Sequence, residues 1–179
     1  MDDLQCKIAI GAMLHDIGKV LYRSSDGRNH SRSGYEFLRD GIGLKDRDIL
    51  DQVLYHHADL LRGSGIAVDS SAYITYMADN IASAADRREK DSRDTSAGFD
   101  RNVPLGSVFN ILNGNHENCH YSPTTMDRNG KINYPSGTPV SFDSSFYGTV
   151  EQGVRDALKG LADDESINVE YINSLLGIL

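Results

Sequence analysis

Five residues of this chain could together do chemistry, because their types are those of metal ligands: His15, Asp16, His56, His57 and Asp79. Imidazole and carboxylate groups suit Mn, Fe, Co, Ni and Zn, and the absence of cysteine pairs argues against a structural zinc site. Taken singly, a histidine on an apolar helix face is more often a satisfied core residue, and a lone aspartate more often caps a helix or pairs locally. Together the five favour a metal site, since a helical bundle can direct such side chains at one point in its core.

Three neighbouring residues could assist such a site. Lys19 follows His15 by four positions, so it shares a helical face and could hold a phosphate oxygen or stabilise developing charge. The alternative is a solvent-exposed lysine. His30 begins a helix, where it could complete a second metal site or contact a phosphate together with the helix amides; the alternative is a polar loop histidine. Gly18 allows close approach of a ligand or of another backbone.

Four helices are predicted to position these residues, each from apolar side chains at helical spacing: Asp2 to Arg23, His30 to Arg39, Lys45 to His57, and Ser70 to Arg88. Asp2 or Asp3 can cap the first helix and Ser31 the second, which Gly41 and Gly43 end. The third helix closes on His56-His57. The fourth carries Asp79 midway along a stretch that is typical of a core, with apolar residues at helical spacing: Ile74, Met77, Ala78, Ile81 and Ala85.

The remainder of the chain changes in character. Residues 113–148 are rich in Gly, Asn, Ser, Thr and Pro, and Asn129-Gly130 predicts a β-hairpin between Thr124–Asp127 and Lys131–Tyr134. Two helices follow, at Thr149–Ala162 and Val169–Leu179. We therefore expect a mainly α fold in one domain, 1–179. It comprises a helical metal-binding core (1–112), an irregular region (113–148) and C-terminal helices (149–179).

Composition limits the setting in which the chain works. A formal charge of −8 over 179 residues repels nucleic acid, so a nucleic-acid contact would need a local basic patch or a partner protein. Arg87 and Arg88 belong to such a basic run, although interleaved acidic residues favour a solvated surface. Two cysteines form no disulfide framework, and no apolar run approaches the roughly 18 residues of a membrane span. A cytoplasmic protein is the expectation.

The ordered motifs resemble the HD superfamily of metal-dependent phosphohydrolases. Most HD domains carry a further ligand histidine well before the His-Asp pair, whereas none of the 14 residues before His15 is histidine. This order resembles the circularly permuted HD domain of the large subunit of type III CRISPR effector complexes, and most of all its Csm-type (III-A) branch. The matching segments are Leu14-His15-Asp16-Ile17-Gly18-Lys19, His30-Ser31, Tyr55-His56-His57, Ala78-Asp79-Asn80-Ile81-Ala82-Ser83-Ala84, Asp86-Arg87-Arg88 and Pro104-Leu105-Gly106-Ser107-Val108-Phe109.

The resemblance implies a helical, divalent-metal nuclease that acts on single-stranded DNA. It implies one or two ions, Mn or Ni in the first place, with Co, Fe and Zn as alternatives. It also implies a larger subunit, whose palm (cyclase) domain would follow this N-terminal fragment, and other effector subunits with guide RNA as partners. The Gly-Gly-Asp-Asp signature of that palm domain is absent here, so cyclase activity is not assigned to this chain.

The expected reaction is phosphodiester hydrolysis, in which the metal activates water and Asp16 bridges the ions. We expect Asp16 and Lys19 to be catalytic, and His30, Arg87 and Arg88 to contact the substrate. Two alternatives remain open. One is a nucleotide or cyclic-nucleotide phosphohydrolase, which the acidic net charge favours. The other is an HD scaffold without turnover that docks other subunits.

Overall fold

The computed structural model describes residues 2–24, 29–86, 106–114, 117–121, 134–138, 144–162 and 167–176, and these confirm a mainly helical fold. The eight α-helices that it describes are α1 (Asp3–Leu14), α2 (Gly18–Ser24), α3 (His30–Glu36), α4 (Arg47–Leu54), α5 (Ala58–Leu61), α6 (Ala72–Asp86), α7 (Ser144–Leu158) and α8 (Val169–Leu176). A π-helical turn, Phe37–Ile42, continues α3. Short 3-10 turns lie at Val108–Asn110, Leu112–Gly114 and Lys159–Ala162.

The first helix is interrupted where its chemistry lies. A single helix from Asp2 to Arg23 was expected, but α1 ends at Leu14 and residues 15–17 form a turn before α2. The amide of Ile17 donates to the carbonyl of Leu14 at 3.0 Å, a bond over three residues that tightens the chain. The prediction of one continuous helix is therefore wrong. The turn gives no signal in the sequence, because the apolar pattern continues through it and both Leu14 and Ile17 are buried.

Side-chain caps fix where the helices begin. Asp2 caps α1 by accepting the amide of Gln5 at 2.8 Å, as expected. The expected cap of α3, Ser31, is wrong. Asn29 caps this helix by accepting the amide of Ser31 at 2.9 Å, while Ser31 itself is fully buried. An asparagine carboxamide reaches this amide from outside the helix, which leaves the serine within the first turn.

The π-helical turn after α3 is closed by glycine and braced from α7. Gly43 adopts φ 89°, the left-handed conformation that ends helices, as predicted. Gly41, also predicted to end this helix, lies inside the π turn instead. The guanidinium of Arg155 donates to its carbonyl at 3.2 Å and stacks 4.7 Å from the ring of Phe37. A side chain of α7 thus provides a hydrogen-bond donor for a backbone carbonyl of the π-helical turn.

Helix α6 buries a different face from the one predicted. Ile74, Met77 and Ile81 are 51%, 55% and 66% exposed, so the expectation that they form core is wrong. The buried face consists of small and polar side chains instead: Ser71, just before the helix, Ala72 and Thr75. This polar face contacts α4 through hydrogen bonds. The spacing of apolar residues cannot predict such contacts.

One apolar core joins both ends of the chain. Helices α1, α3 and α4 pack around Ile10, Leu14, Leu38, Ile49 and Val53, each fully buried. Helix α7 packs on α2, and α8 packs on α1, which brings the C-terminal helices onto the same cluster. Among the described helices none is long and apolar enough to cross a membrane.

The predicted β-hairpin at 124–134 lies almost wholly outside the described residues. Within the described parts of 106–138, pairing is limited to isolated bridges that join His120 to Gly106 and to Ser136. The side chain of Asn110 extends this pairing, since it donates to the carbonyl of Cys119 at 2.8 Å and accepts its amide at 2.9 Å. The amide of Ser107 also donates to the Cys119 carbonyl.

Candidate metal centre

The structure brings all five expected ligands together and adds His30. His15 closes α1, and Asp16 lies in the turn that follows. The third helix was predicted to close on His56-His57, but α4 ends at Leu54 and both histidines lie in the bend beyond Tyr55. Asp79 lies on α6, and the sixth residue, His30, begins α3. The cluster therefore stands where three helix termini meet the side of a fourth helix.

Backbone carbonyls orient two of the histidines. The Nδ1–H of His15 donates to the carbonyl of Ala12 at 2.6 Å, and that of His56 donates to the carbonyl of Val53 at 2.7 Å. In both rings Nδ1 must carry the proton, because a carbonyl can only accept. The neutral rings therefore direct an unprotonated Nε2 into the cluster, which is the arrangement that a metal ligand requires.

Asp16 lies at the middle of the cluster. Its Oδ1 is 3.3 Å from Nε2 of His30 and 3.7 Å from Nε2 of His56. Its Oδ2 is 3.4 Å from Nε2 of His15. The Nε2 atom of His15 in turn lies 3.7 Å from Oδ1 of Asp79. The two oxygens of one carboxylate thus face two different groups of ligands.

Three histidines form the tighter of these groups. The Nε2 atom of His30 lies 3.2 Å from that of His56 and 2.9 Å from that of His57. Potential ligand atoms of all three rings lie within 4.8 Å of one another. His30 was expected to contact a phosphate or to complete a second metal site, and its position beside His56 and His57 favours the second role.

Burial and charge set the protonation of the cluster. Burial, helped by the neighbouring His57 and His15, lowers the pKa of His56 to about 4. Burial also lowers the pKa of His57, with His30 acting in the same direction. The pKa of Asp16 is held well below its usual range, because hydrogen bonds from His15, His30 and Lys19 outweigh the effect of burial. At neutral pH His56 is neutral and Asp16 ionised, the forms in which each binds metal.

His15 behaves differently from the other buried rings. Burial alone would lower its pKa, but the hydrogen bonds to Asp16 and to the Ala12 carbonyl outweigh burial and raise it. The ionised carboxylate of Asp16 thus favours the protonated form of this ring. A cation bound in the cluster would replace that proton.

Lys19 stands at the rim of the cluster. Its ammonium pairs with Oδ2 of Asp16, and its side chain is 59% exposed. Lys19 was predicted to lie near His15, and the two side chains contact the same carboxylate oxygen, Oδ2 of Asp16. Gly18 permits this turn to approach α3, since a Cβ there would collide with the carbonyl of His30.

The remaining candidates do not join the cluster within the described residues. Arg87 and Arg88, which were expected to contact the substrate, lie outside the described part of the chain. His120 takes part in the backbone bridges, and the thiol of Cys119 lies 3.7 Å from a carboxylate oxygen of Glu117.

The donor set fits a divalent metal ion. Nε2 of His30 carries at most one proton, so it cannot donate a hydrogen bond to His56, His57 and Asp16 at once. Without a cation, at least one pair of ring nitrogens therefore has either two lone pairs or two protons facing each other. A cation resolves this conflict. Imidazole and carboxylate ligands with backbone-oriented rings are those of catalytic transition-metal sites, and the partly exposed carboxylates leave room for a substrate.

Comparisons with known proteins agree with this arrangement. The model of the HD domain family matches residues 2–90, the range that supplies all six cluster residues. HD domains bind divalent metals.

Two similar proteins are both named CRISPR system single-strand-specific deoxyribonuclease Cas10/Csm1 (subtype III-A). The one from Enterococcus italicus is 34% identical over 160 residues, covering 85% of this chain and 21% of the relative. The one from Mycobacterium tuberculosis is 34% identical over 197 residues, covering 95% and 24%.

Solved structures show the same fold. The chain superposes on a crystal structure of an apo Csm1-Csm4 cassette with a TM-score of 0.60 at 22% identity, covering all of this chain and 24% of that one. A Csm1-Csm4 subcomplex of the type III-A interference complex gives a TM-score of 0.54 at 21% identity. The chain thus spans less than a quarter of the length of the relatives described here.

Proposed function

Since the chain belongs to the HD domain family, we propose that it is a divalent-metal-dependent nuclease that hydrolyses phosphodiester bonds of single-stranded DNA. The observation that carries the proposal is the position of Asp16, whose two oxygens face separate groups of imidazoles. The substrate is supported by the relatives, which are named single-strand-specific deoxyribonucleases.

The ligands divide into two sets around Asp16. His30, His56 and His57 would hold one ion with Oδ1 of Asp16, and His15 with Asp79 would hold a second with Oδ2. When bound, the metal supplies a Lewis acid for the phosphate and a water nucleophile that ionises near neutral pH. Mn or Ni would suit this nitrogen-rich set, with Co, Fe and Zn as alternatives, in one or two ions.

Lys19 would act on the substrate from the rim. Its ammonium is already held toward the cluster by Asp16, and its exposure leaves it free to turn to a phosphate oxygen. A cation at this position would stabilise the negative charge that develops on phosphorus oxygens during hydrolysis. Arg87 and Arg88, which follow α6 in sequence, would contact the nucleic acid backbone further away.

We also propose that residues 1–179 are one domain of a longer subunit. The relatives are four to five times as long as the segment that this chain matches. The remainder of that subunit, with its palm (cyclase) domain, and other effector subunits with guide RNA would then be its partners. Such partners could supply a basic groove beside a chain whose net charge is −8.

Cleavage of a labelled single-stranded DNA oligonucleotide tests the proposal. The wild-type chain, Asp16→Asn and Asp69→Asn would be compared with Mn²⁺, Ni²⁺ and Mg²⁺. Asp69 is an exposed carboxylate outside the cluster and is the matched control. We expect metal-dependent cleavage that Asp16→Asn lowers by more than about 100-fold, beyond the loss usual for an outer-shell residue. Asp69→Asn should cleave as the wild type does.

The other outcomes identify the competing functions. Cleavage by Asp16→Asn at the wild-type rate would show that the proposed site is wrong. Turnover of nucleotides or cyclic nucleotides without oligonucleotide cleavage would indicate a small-molecule phosphohydrolase. A wild-type chain that binds metal but hydrolyses neither class would indicate a scaffold.

A further inference from the structure

A buried hydrogen-bonded layer lies beneath the ligand cluster. The side chain of Gln52, in α4, is fully buried, and its Nε2 donates to the carbonyl of Lys7 at 3.2 Å and to that of Asp48 at 2.8 Å. Its Oε1 accepts the hydroxyl of Thr75, in α6, at 2.7 Å. Ser71 adds a bond from its hydroxyl to the Asp48 carbonyl at 3.1 Å. One carboxamide therefore connects α1, α4 and α6.

Steric fit confines Gln52 to this position. A Cβ at Gly11 of α1 would overlap the carboxamide of Gln52 and displace it, so glycine allows α1 and this carboxamide to lie in direct contact. Both Gly11 and Thr75 are buried, and the carboxamide lies between them. The layer is thus a tight polar contact within a mostly apolar bundle.

The layer lies four residues before a candidate ligand in each of three segments. His15 follows Gly11 by four residues, His56 follows Gln52 by four, and Asp79 follows Thr75 by four. Residues four apart in a helix lie on the same face, about one turn along the axis, and within α6 this places Thr75 directly below Asp79. Gly11 and Gln52 lie in the last turns of α1 and α4, whose ends lead into His15 and His56.

We infer that Gln52 and Thr75 are positioning residues for the metal centre. Their hydrogen bond fixes how far α4 and α6 slide past each other, and the Gln52 bond to Lys7, with its contact on Gly11, does the same for α1. Loss of this register would shift His15, His56 and Asp79 relative to one another. Small displacements in such a centre are expensive. The inference rests on the proposed metal centre.

Metal titration with a matched set of variants tests the inference. Thr75→Val keeps the shape of the side chain and removes the hydroxyl, whereas Thr75→Ser keeps the hydroxyl. Tyr171→Phe removes a hydroxyl that donates from α8 to the carbonyl of Ala157 at 3.1 Å, away from the cluster. Mn²⁺ affinity would be measured by calorimetric titration and the melting temperature by circular dichroism for each chain.

We expect Thr75→Val to weaken Mn²⁺ binding by about 10-fold or more, the range reported for outer-shell groups. Thr75→Ser should restore the Mn²⁺ affinity to within about twofold of wild type. Tyr171→Phe should keep the wild-type affinity even if its melting temperature falls by as much as that of Thr75→Val. Wild-type affinity in folded Thr75→Val would overturn the inference. A wild-type chain that binds no metal would overturn the proposed centre itself, and the inference with it.

A second pair of variants covers the case in which Thr75→Val does not fold. Gly11→Ala introduces the Cβ that presses on Gln52, whereas Gly153→Ala, in α7, places a Cβ where nothing lies within 4 Å. Alanine favours a helix over glycine at both positions. We expect only Gly11→Ala to weaken Mn²⁺ binding, and equal affinities for the two variants would contradict the inference.

Discussion

Single hydrogen bonds decide how the candidate ligands present themselves. His15 and His56 each give their Nδ1 proton to a carbonyl three residues earlier in the chain, at Ala12 and Val53. No metal is needed for this orientation, so both Nε2 atoms face the cluster before any ion arrives. Such preorganisation reduces the rearrangement that binding requires.

Protonation of His56 should make the metal-free chain less stable in mild acid. The folded chain keeps His56 neutral down to about pH 4, whereas an unfolded histidine takes up its proton near pH 6.5. Between these values the unfolded state binds more protons, so stability is fully present above about pH 6.5 and is lost as the pH falls toward 4. The expected contribution between pH 7 and 5 is on the order of 2 kcal/mol.

Urea unfolding at pH 7, 6 and 5 in the presence of a chelator measures this loss. His56→Asn removes the buried imidazole and should flatten the dependence, whereas His120→Asn, outside the cluster, should keep it. An unchanged slope in His56→Asn would assign the acid sensitivity to other groups.

At the scale of elements, the ends of helices rather than their middles build the site. Three of the four segments that supply ligands do so at or just beyond a terminus: the turn after α1, the first residue of α3 and the bend after α4. Helix termini leave backbone groups unsatisfied, and the cap Asn29 fixes the terminus of α3 that presents His30. This cap therefore helps to place one residue of the cluster.

How much of this was predictable depends on which interactions carry sequence signals. The candidate ligands could be chosen from the sequence, because histidines and aspartates are uncommon in apolar helical segments; they are His15-Asp16, His56-His57 and Asp79. His30 could be proposed but not assigned, since a histidine at a helix start has several uses. The break after Leu14 could not be predicted, because apolar spacing continues through it.

The buried face of α6 was also beyond prediction from the pattern. Ile74, Met77 and Ile81 have the spacing of a core face, yet the helix turns Thr75 inward to reach Gln52. A hydrogen bond between residues 23 positions apart leaves no local periodicity. Tertiary contact overrides the apolar pattern in such a case.

The π-helical turn should depend on Arg155. Arg155→Met keeps the aliphatic stem but loses the bond to the Gly41 carbonyl, the stacking on Phe37 and the ion pair with Glu151 at 3.3 Å. We expect a loss of about 1–2 kcal/mol in the free energy of unfolding, measured with urea. Lys159→Met removes an exposed pair with Asp156 and should cost clearly less stability than Arg155→Met. Equal losses would contradict the bracing role.

Over the whole molecule, the candidate metal centre and the core share the same helices. Helices α1 and α4, which precede His15 and His56, also bury Leu14 and Val53, and α7 and α8 pack on α2 and α1. Local opening at the cluster would therefore expose core. A ligand that binds only the folded state stabilises the entire unit.

Metal should raise the melting temperature of the chain. At a free concentration of 100 times its dissociation constant, an ion adds about 2.7 kcal/mol of stability. For a chain of this size that corresponds to a rise of roughly 5–11 °C. Circular dichroism melts with Mn²⁺ and with a chelator measure the difference, which Asp16→Asn should largely abolish and Asp69→Asn should retain. The same rise in Asp16→Asn would place the ion elsewhere.

The exposed apolar side chains of α6 affect how this protein must be handled. Ile74, Met77 and Ile81 form an apolar surface that is exposed to solvent on the folded chain. Environment-sensitive dyes that brighten on such surfaces should therefore fluoresce before any heating, giving a high baseline in dye-based thermal shift assays. The same surface should lower solubility as salt screens the repulsion between molecules of charge −8. Crystallisation screens would then be expected to yield precipitate first at high ionic strength.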